Sequence, residues 1–157
     1  MIHQNQNHMS NRINIAEAAP EAYKAMYGLE GFLQTSLLSK THKELIKIRA
    51  SQINGCAFCI DMHSKDALKN GETPQRIFLL NAWKESGLFS EEEQAILSIT
   101  EEVTLIHQHG LSQASYERAL NYFEPTYIAH IIMAAVTINA WNRIAISTQL
   151  PVPKEKV

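Results

Sequence analysis

Along residues 20–147 the apolar positions fall into blocks divided by helix start and stop signals, and no stretch alternates apolar with polar residues between turns. Strict alternation marks a half-buried strand, so no strand is expected. Pro20 suits a first helical position and leads into "EAYKAMYGLEGFLQTSLL". Thr41 and Glu44 read as a T-x-x-E capping box opening a helix through about Asn54, which Gly55 ends. A third helix is expected from about Cys56 to Asn70, stopped by Gly71. Thr73, followed by Pro74, opens a fourth that runs to about Ser86. Ser90 and Glu93 form a second capping box, whose helix is expected to end before Gly110. Ser112 begins a sixth, to about Phe123, and Pro125 begins the last, "PTYIAHIIMAAVTINAWNRIAIS". That segment is apolar almost all round, as suits a central core helix or one shared between subunits. The expectation is an all-α bundle of about six or seven helices.

The ends read differently. Residues 1–11 are rich in Asn, Gln and His and are expected to be a flexible segment, so His3 and His8 receive no functional weight. Residues 149–157, with "PVPKEKV", hold two prolines and a charge cluster with nothing to pack, and read as a flexible tail. Between them, 12–148 is expected to form one helical domain.

Composition narrows the function classes. A chain of 157 residues with 45% hydrophobic content can bury a sizeable core. Net charge is −2 and the pI about 6.4, so no basic field points to nucleic acid or an anionic membrane. No run of apolar residues is long enough to span a bilayer, and the first residues lack a signal-peptide layout, so a soluble cytoplasmic protein is expected.

The candidate chemistry sits in "RASQINGCAFCIDMHSKDALKNG", Arg49–Gly71, which holds both cysteines of the chain, Cys56 and Cys59, with His63 four positions on. At about 100° per residue, Cys59 lies roughly 60° from Cys56 around a helix axis and His63 falls between them, so the three share one narrow face. Gly55 puts Cys56 near a helix N-terminus, where unpaired N–H groups and the macrodipole favour a thiolate. Three readings compete. Zinc would find three ligands in Cys56, Cys59 and His63 and need a fourth from elsewhere. Two buried thiols beside an ordinary helix histidine would be inert. A redox dithiol suits a reducing compartment best, but without strands it must stand on a helical scaffold rather than a βαβ one.

From Glu44 the chain reads E-L-I-K-I-R-A-S-Q-I-N-G-C-A-F-C-I-D-M-H: glutamate, eleven residues, cysteine, two, cysteine, three, histidine. This resembles the alkyl hydroperoxidase D (AhpD-like) core of the carboxymuconolactone decarboxylase superfamily. The likeness continues through "LLNAWKESGLFSEEEQAILSITEEVTLI" and "INAWNRIAI", covering roughly residues 12–147. The resemblance implies roles. Cys59 matches the cysteine that attacks the peroxide, Cys56 the one that resolves it to a disulfide, and Glu44 and His63 the proton relay. It further implies a hydroperoxide substrate, an external dithiol or thioredoxin-like reductant, no metal or organic cofactor, and a homo-oligomer, trimeric or hexameric. Where peroxidase members carry a second histidine just before the attacking cysteine, this chain has Phe58, which either thins the relay or shapes an apolar peroxide pocket.

Other residues have simpler readings. Glu44 is open between capping and catalysis. His42, His107, His109 and His130 read as surface or satisfied interior residues, with His130, on an apolar helix, of most interest. Asp61 and Asp66 are expected on other faces than the cysteines. Trp83 and Trp141 read as core or interface anchors, and Glu91, Glu92 and Glu93 as a helix start favoured by the dipole.

Overall fold

A computed structural model describes residues 12–154; residues 1–11 and 155–157, the expected N-terminal segment and the end of the tail, lie outside the described residues. The described chain is all-helical: α1 (Ile15–Ala18), α2 (Pro20–Thr35), α3 (Lys40–Asn54), α4 (Ala57–Lys69), α5 (Pro74–Leu79), a 3₁₀ turn (Leu80–Ala82), α6 (Trp83–Ser86), α7 (Glu91–Thr104), α8 (Gln113–Leu120) and α9 (Pro125–Thr148). No described residue forms a strand.

Most boundaries follow from local chemistry. Pro20, Pro74 and Pro125 open their helices, and Thr73 and Ser112 cap theirs through side-chain oxygens. Both halves of the Ser90–Glu93 capping box are formed. Gly55 ends α3 at φ +71°, the left-handed region that side chains with a β-carbon rarely enter, and turns the chain straight into α4.

Three points differ from expectation. The Thr41–Glu44 capping box does not form: Ser39 caps α3 by accepting from the His42 N–H, two residues earlier than expected. Glu44 therefore lies on the second turn of α3 with its carboxylate free for other work. The single helix expected over 74–86 is broken by the 3₁₀ turn. Its buried residues Ile77, Leu80 and Trp83 repeat every three positions, the period of a 3₁₀ rather than an α-helix. The helix expected to end before Gly110 does so, at Thr104, where the positions from Ile106 to His109 are exposed and no core face remains to sustain it. The short α1 was not anticipated; Asn14 caps it through its side chain.

α9 is the central element, packed against α2, α3, α7, α8 and α4, and α3 packs in turn on α4 and α7. One cluster of buried residues joins Leu33, Ile46, Ile96, Ile99, Ile131 and Ala135; a second joins Leu45, Ile48, Leu80, Trp83 and Leu97. Leu33 pins the C-terminal end of α2 into the first cluster, and its truncation to alanine costs about 3 kcal/mol on the usual scale. No helix among the described residues is long and apolar enough to cross a membrane.

α9 also buries polar groups. Asn142 is fully buried; it donates to Ser51 Oγ and accepts from Asn54 Nδ2, each at 2.9 Å. Asn139 accepts from the same Asn54 amide at 2.9 Å and donates to Thr104 Oγ1 at 3.0 Å. Asn54 is the last residue of α3. These bonds therefore fasten α9 to the turn that carries the cysteines, and leave each buried amide satisfied.

Candidate functional site

Cys56 is the N-cap of α4 and Cys59 lies in its first turn. The two are joined by a disulfide, with Cα atoms 5.3 Å apart, inside the normal range for such a bridge. The N–H of Cys59 donates to Cys56 Sγ at 3.4 Å, the position a capping oxygen usually takes. The pair is held among Ala50, Ile138 and Ala145, with Phe58 and Trp141 against it.

His63 follows one turn after Cys59 on the same face and is 5% exposed. Its Nδ1 lies 3.0 Å from Glu44 Oε2, across the α3–α4 contact. A carboxylate only accepts, so Nδ1 is the donor in this bond. Glu44 is thus bound to the histidine rather than to the Thr41 backbone.

Cys59, His63 and Glu44 line one cavity of about 390 Å³; Cys56 lies behind Cys59 and does not line it. Phe58, Met62, Ile138 and Ile144 form apolar walls, and Tyr23, Tyr27 and Trp141 meet edge to face with centroids 5.3 to 5.6 Å apart. Phe58, at the place of the second histidine, is part of this apolar lining. Asp66 also lines the cavity, against the expectation that it faces elsewhere: it sits three residues after His63, on the same helical stripe. Asp61 does point away and pairs with Lys65 at 2.9 Å.

The sequence did not single out Glu30 and Lys47. Lys47 is 4% exposed and donates to Glu30 Oε2 at 3.0 Å, while Trp141 Nε1 donates to Glu30 Oε1 at 3.1 Å. A buried ammonium needs such a partner. The bonds join α2, α3 and α9 around the cavity, so Trp141 is a wall of the site as well as an anchor. A lysine inside the apolar run "LIKIRA", one turn after Glu44, was the available signal. The remaining histidines lie elsewhere. His42 contacts Tyr127 Oη at 2.7 Å, His130 accepts from the Leu37 N–H at 3.1 Å, and His107 and His109 are exposed. Trp83 is a core residue whose Nε1 donates to Glu101. No group of three or more His, Cys, Asp or Glu among the described residues converges as a cation site.

A helical hairpin presenting a dithiol, a histidine and a carboxylate can be compared with known proteins. The family model described as "Carboxymuconolactone decarboxylase family" matches residues 18–102, more than half of the chain. The uncharacterized protein YdfG of Bacillus subtilis (strain 168) is 44% identical over 139 residues, 88% of this chain and 95% of that protein. A crystal structure from Agrobacterium tumefaciens, of a protein of unknown function named as a candidate antioxidant defence protein AhpD, is 42% identical. It superposes with a TM-score of 0.89, covering 92% of this chain and 99% of that one. The debrominase Bmp8, in complex with 2,3,4-tribromopyrrole, shares the fold at a TM-score of 0.78 with 16% identity, over 87% of this chain and 73% of its own. Sequence, helix order and the cysteine-bearing hairpin thus lead to one placement: the chain belongs to the carboxymuconolactone decarboxylase family and has its AhpD-like all-α fold.

Proposed function

We propose that the chain is a thiol-dependent hydroperoxidase that works through Cys59 and Cys56, with His63 and Glu44 as proton relay. The observation that carries this reading is the disulfide at the base of an apolar cavity lined also by the His63–Glu44 pair. The related protein named for antioxidant defence supports it.

In the reduced protein, the Cys59 thiolate attacks the distal oxygen of a hydroperoxide. The O–O bond breaks, Cys59 becomes a sulfenic acid, and the departing alkoxide receives, through His63, the proton that the Cys59 thiol gave up, leaving as an alcohol. Cys56 then attacks the Cys59 sulfur, water leaves, and the disulfide forms. The peroxide gains the two electrons that the two thiols lose. An external dithiol, small or thioredoxin-like, restores both thiols by exchange. No metal or organic cofactor enters these steps. Helix-terminus physics alone favours Cys56 as the thiolate, but Cys59 is the cysteine that lines the cavity and stands one turn from His63. A reducing cytoplasm is the setting in which this cycle turns over.

Subunit association belongs to the same reading, as the trimer or hexamer expected above. Tyr27 on α2 and Val136 and Ile146 on α9 are exposed apolar side chains that a second copy would cover. Sedimentation at micromolar concentration tests it, and a monomer refutes it.

The central test counts free thiols in the reduced protein before and after one equivalent of alkyl hydroperoxide. Two thiols should disappear and return with a dithiol. Thiols that persist after peroxide, or metal released in their place, would overturn the proposal in favour of an inert or zinc-holding module.

A further inference from the structure

Beside the dithiol cavity lies a second depression of about 320 Å³, lined by Lys40, Lys43, Lys47 and Lys69 together with Glu44 and Asp66. The two are contiguous, because Gln34, Glu44, Lys47 and Asp66 line both. The fold explains the gathering of lysines. Lys40, Lys43 and Lys47 recur at helical spacing along one stripe of α3. α4 returns beside α3 after the Gly55 turn, which brings Lys69, at its C-terminal end, to the start of α3.

The charge of the two spaces differs in sign. The dithiol cavity holds Glu30, Glu44 and Asp66 against a single lysine, Lys47, which Glu30 already engages. The depression holds four lysines against two carboxylates; with Lys47 held by Glu30 and Lys69 paired with Asp66 at 3.4 Å, Lys40 and Lys43 remain against Glu44. Lys43 Nζ donates to the Leu33 carbonyl rather than to an acid, and Lys40 makes no ion pair with a described residue. An anion is repelled from the space around Cys59 and attracted to the space beside it.

We propose that this depression is a carboxylate subsite. On the hydroperoxidase reading above, the substrate carries a carboxylate at the far end of an apolar chain. Its body rests on Phe58, Met62 and Trp141, its peroxide meets Cys59, and its carboxylate sits among Lys40, Lys43 and Lys69. The ten residues from Cys59 to Lys69 span about 15 Å of helix, which a medium-length aliphatic chain bridges. Glu30 lines only the dithiol cavity, and Lys40, Lys43 and Lys69 only the depression, which disfavours the reversed orientation.

The test uses the full chain. The reduced protein is oxidised in a single turnover, without reductant, by a medium-chain fatty-acid hydroperoxide and by its methyl ester. Separately, binding of decanoate and of decanol to the oxidised protein is measured. The acid should react roughly tenfold faster than the ester at low salt, the order that two exposed ion pairs supply. The acid-to-ester ratio should fall toward one at high salt and in a Lys40→Glu, Lys69→Glu variant. Equal rates for acid and ester, with both consuming thiols, overturn the subsite and leave the peroxidase reading standing. Inert thiols with saturable decanoate binding that the double variant loses keep the anion site and remove the peroxidase reading. Inert thiols and no decanoate binding overturn both.

Discussion

Asn54 and Asn142 bond side chain to side chain at 2.9 Å, where the end of α3 meets α9 just before the cysteine turn. Asn142→Ala leaves the fully buried Ser51 Oγ without its donor and the half-buried Asn54 with one acceptor fewer. The expected loss is about 2 kcal/mol, the cost of stranding buried polar groups, read from the urea midpoint at constant slope. A change below about 0.5 kcal/mol, the range of ordinary surface substitutions, would show that the bond does not hold the turn.

Glu30 and Lys47 form an ion pair whose lysine is 5% exposed at the side chain and whose glutamate is 21%. Glu30→Ala should therefore be the costlier single change, about 3 kcal/mol, because it leaves a buried ammonium unpaired. Replacing both partners together, as Glu30→Gln with Lys47→Met, should recover most of that. A double-mutant cycle in denaturant decides the matter: additive losses would mean that the pair is not coupled.

On the hydroperoxidase proposal, the two cysteines have separate roles. Cys59→Ser should abolish reaction with hydroperoxide. Cys56→Ser should react once and stop at a sulfenic acid on Cys59, which a dimedone-type probe traps. A probe that labels Cys56 in Cys59→Ser, and nothing in Cys56→Ser, reverses the assignment.

Glu44→Gln keeps a side chain able to bond His63 but removes the charge. Thiol oxidation by peroxide should slow by roughly a hundredfold, the lower end of general acid–base contributions, and its pH profile should shift. His63→Gln should slow it at least as much. Unchanged profiles in both variants would reduce the pair to a structural contact between α3 and α4.

Stability should fall as the solution is acidified, and the sign follows from four groups. Burial raises the pKa of Glu93, but hydrogen bonds from Arg76 and the Ser90 N–H outweigh it and hold the group below its ordinary value. Burial of Glu101 is likewise overcome by Trp83, Lys84 and Arg49, and that of Glu102 by Ser115 and Ser112. Each depressed carboxyl contributes stability above its unfolded pKa, near 4.5, and loses it as pH drops through the lower folded value. Burial lowers His42 below 6.5 against the opposing pull of Glu93 and Glu92, so the folded state prefers it neutral. Its contribution is present above pH 6.5 and begins to fade below that. Melting temperatures between pH 7 and pH 3 should decline steadily; a rise on acidification contradicts these assignments.

The helical class and most helix starts could be read from short-range signals, because a proline or a capping hydroxyl acts within one turn. Ser90 with Glu93 and Gly55 are such cases. Thr41 with Glu44 is a case where local signals compete. The pattern fitted a cap, but Ser39 was already better placed and Glu44 found a partner 19 residues away. Cys56, Cys59 and His63 were visible because their spacing alone puts them on one face. Glu30, Lys47 and the polar side of Trp141 were not, since they meet only when α2 and α9 close over α3. The asparagines of α9 left a faint trace: Asn139 and Asn142, three apart in a largely apolar helix, mark the stripe that meets Asn54.

The Gly55 turn has a consequence for how the molecule assembles and diversifies. Glu44, both cysteines and His63 belong to a single hairpin, and their longest separation in sequence is 19 residues. The cavity wall depends on a bond between Glu30 and Trp141, 111 residues apart. Closing a short loop costs less chain entropy than closing a long one. The hairpin is thus expected to gather its side chains early, while the enclosure waits for α9 to dock. The same division sets what substitutions can reach. Changes at Tyr23, Tyr27 or Ile144 reshape the chamber without disturbing the hairpin that carries the sulfur, so one reagent can be offered to many guests.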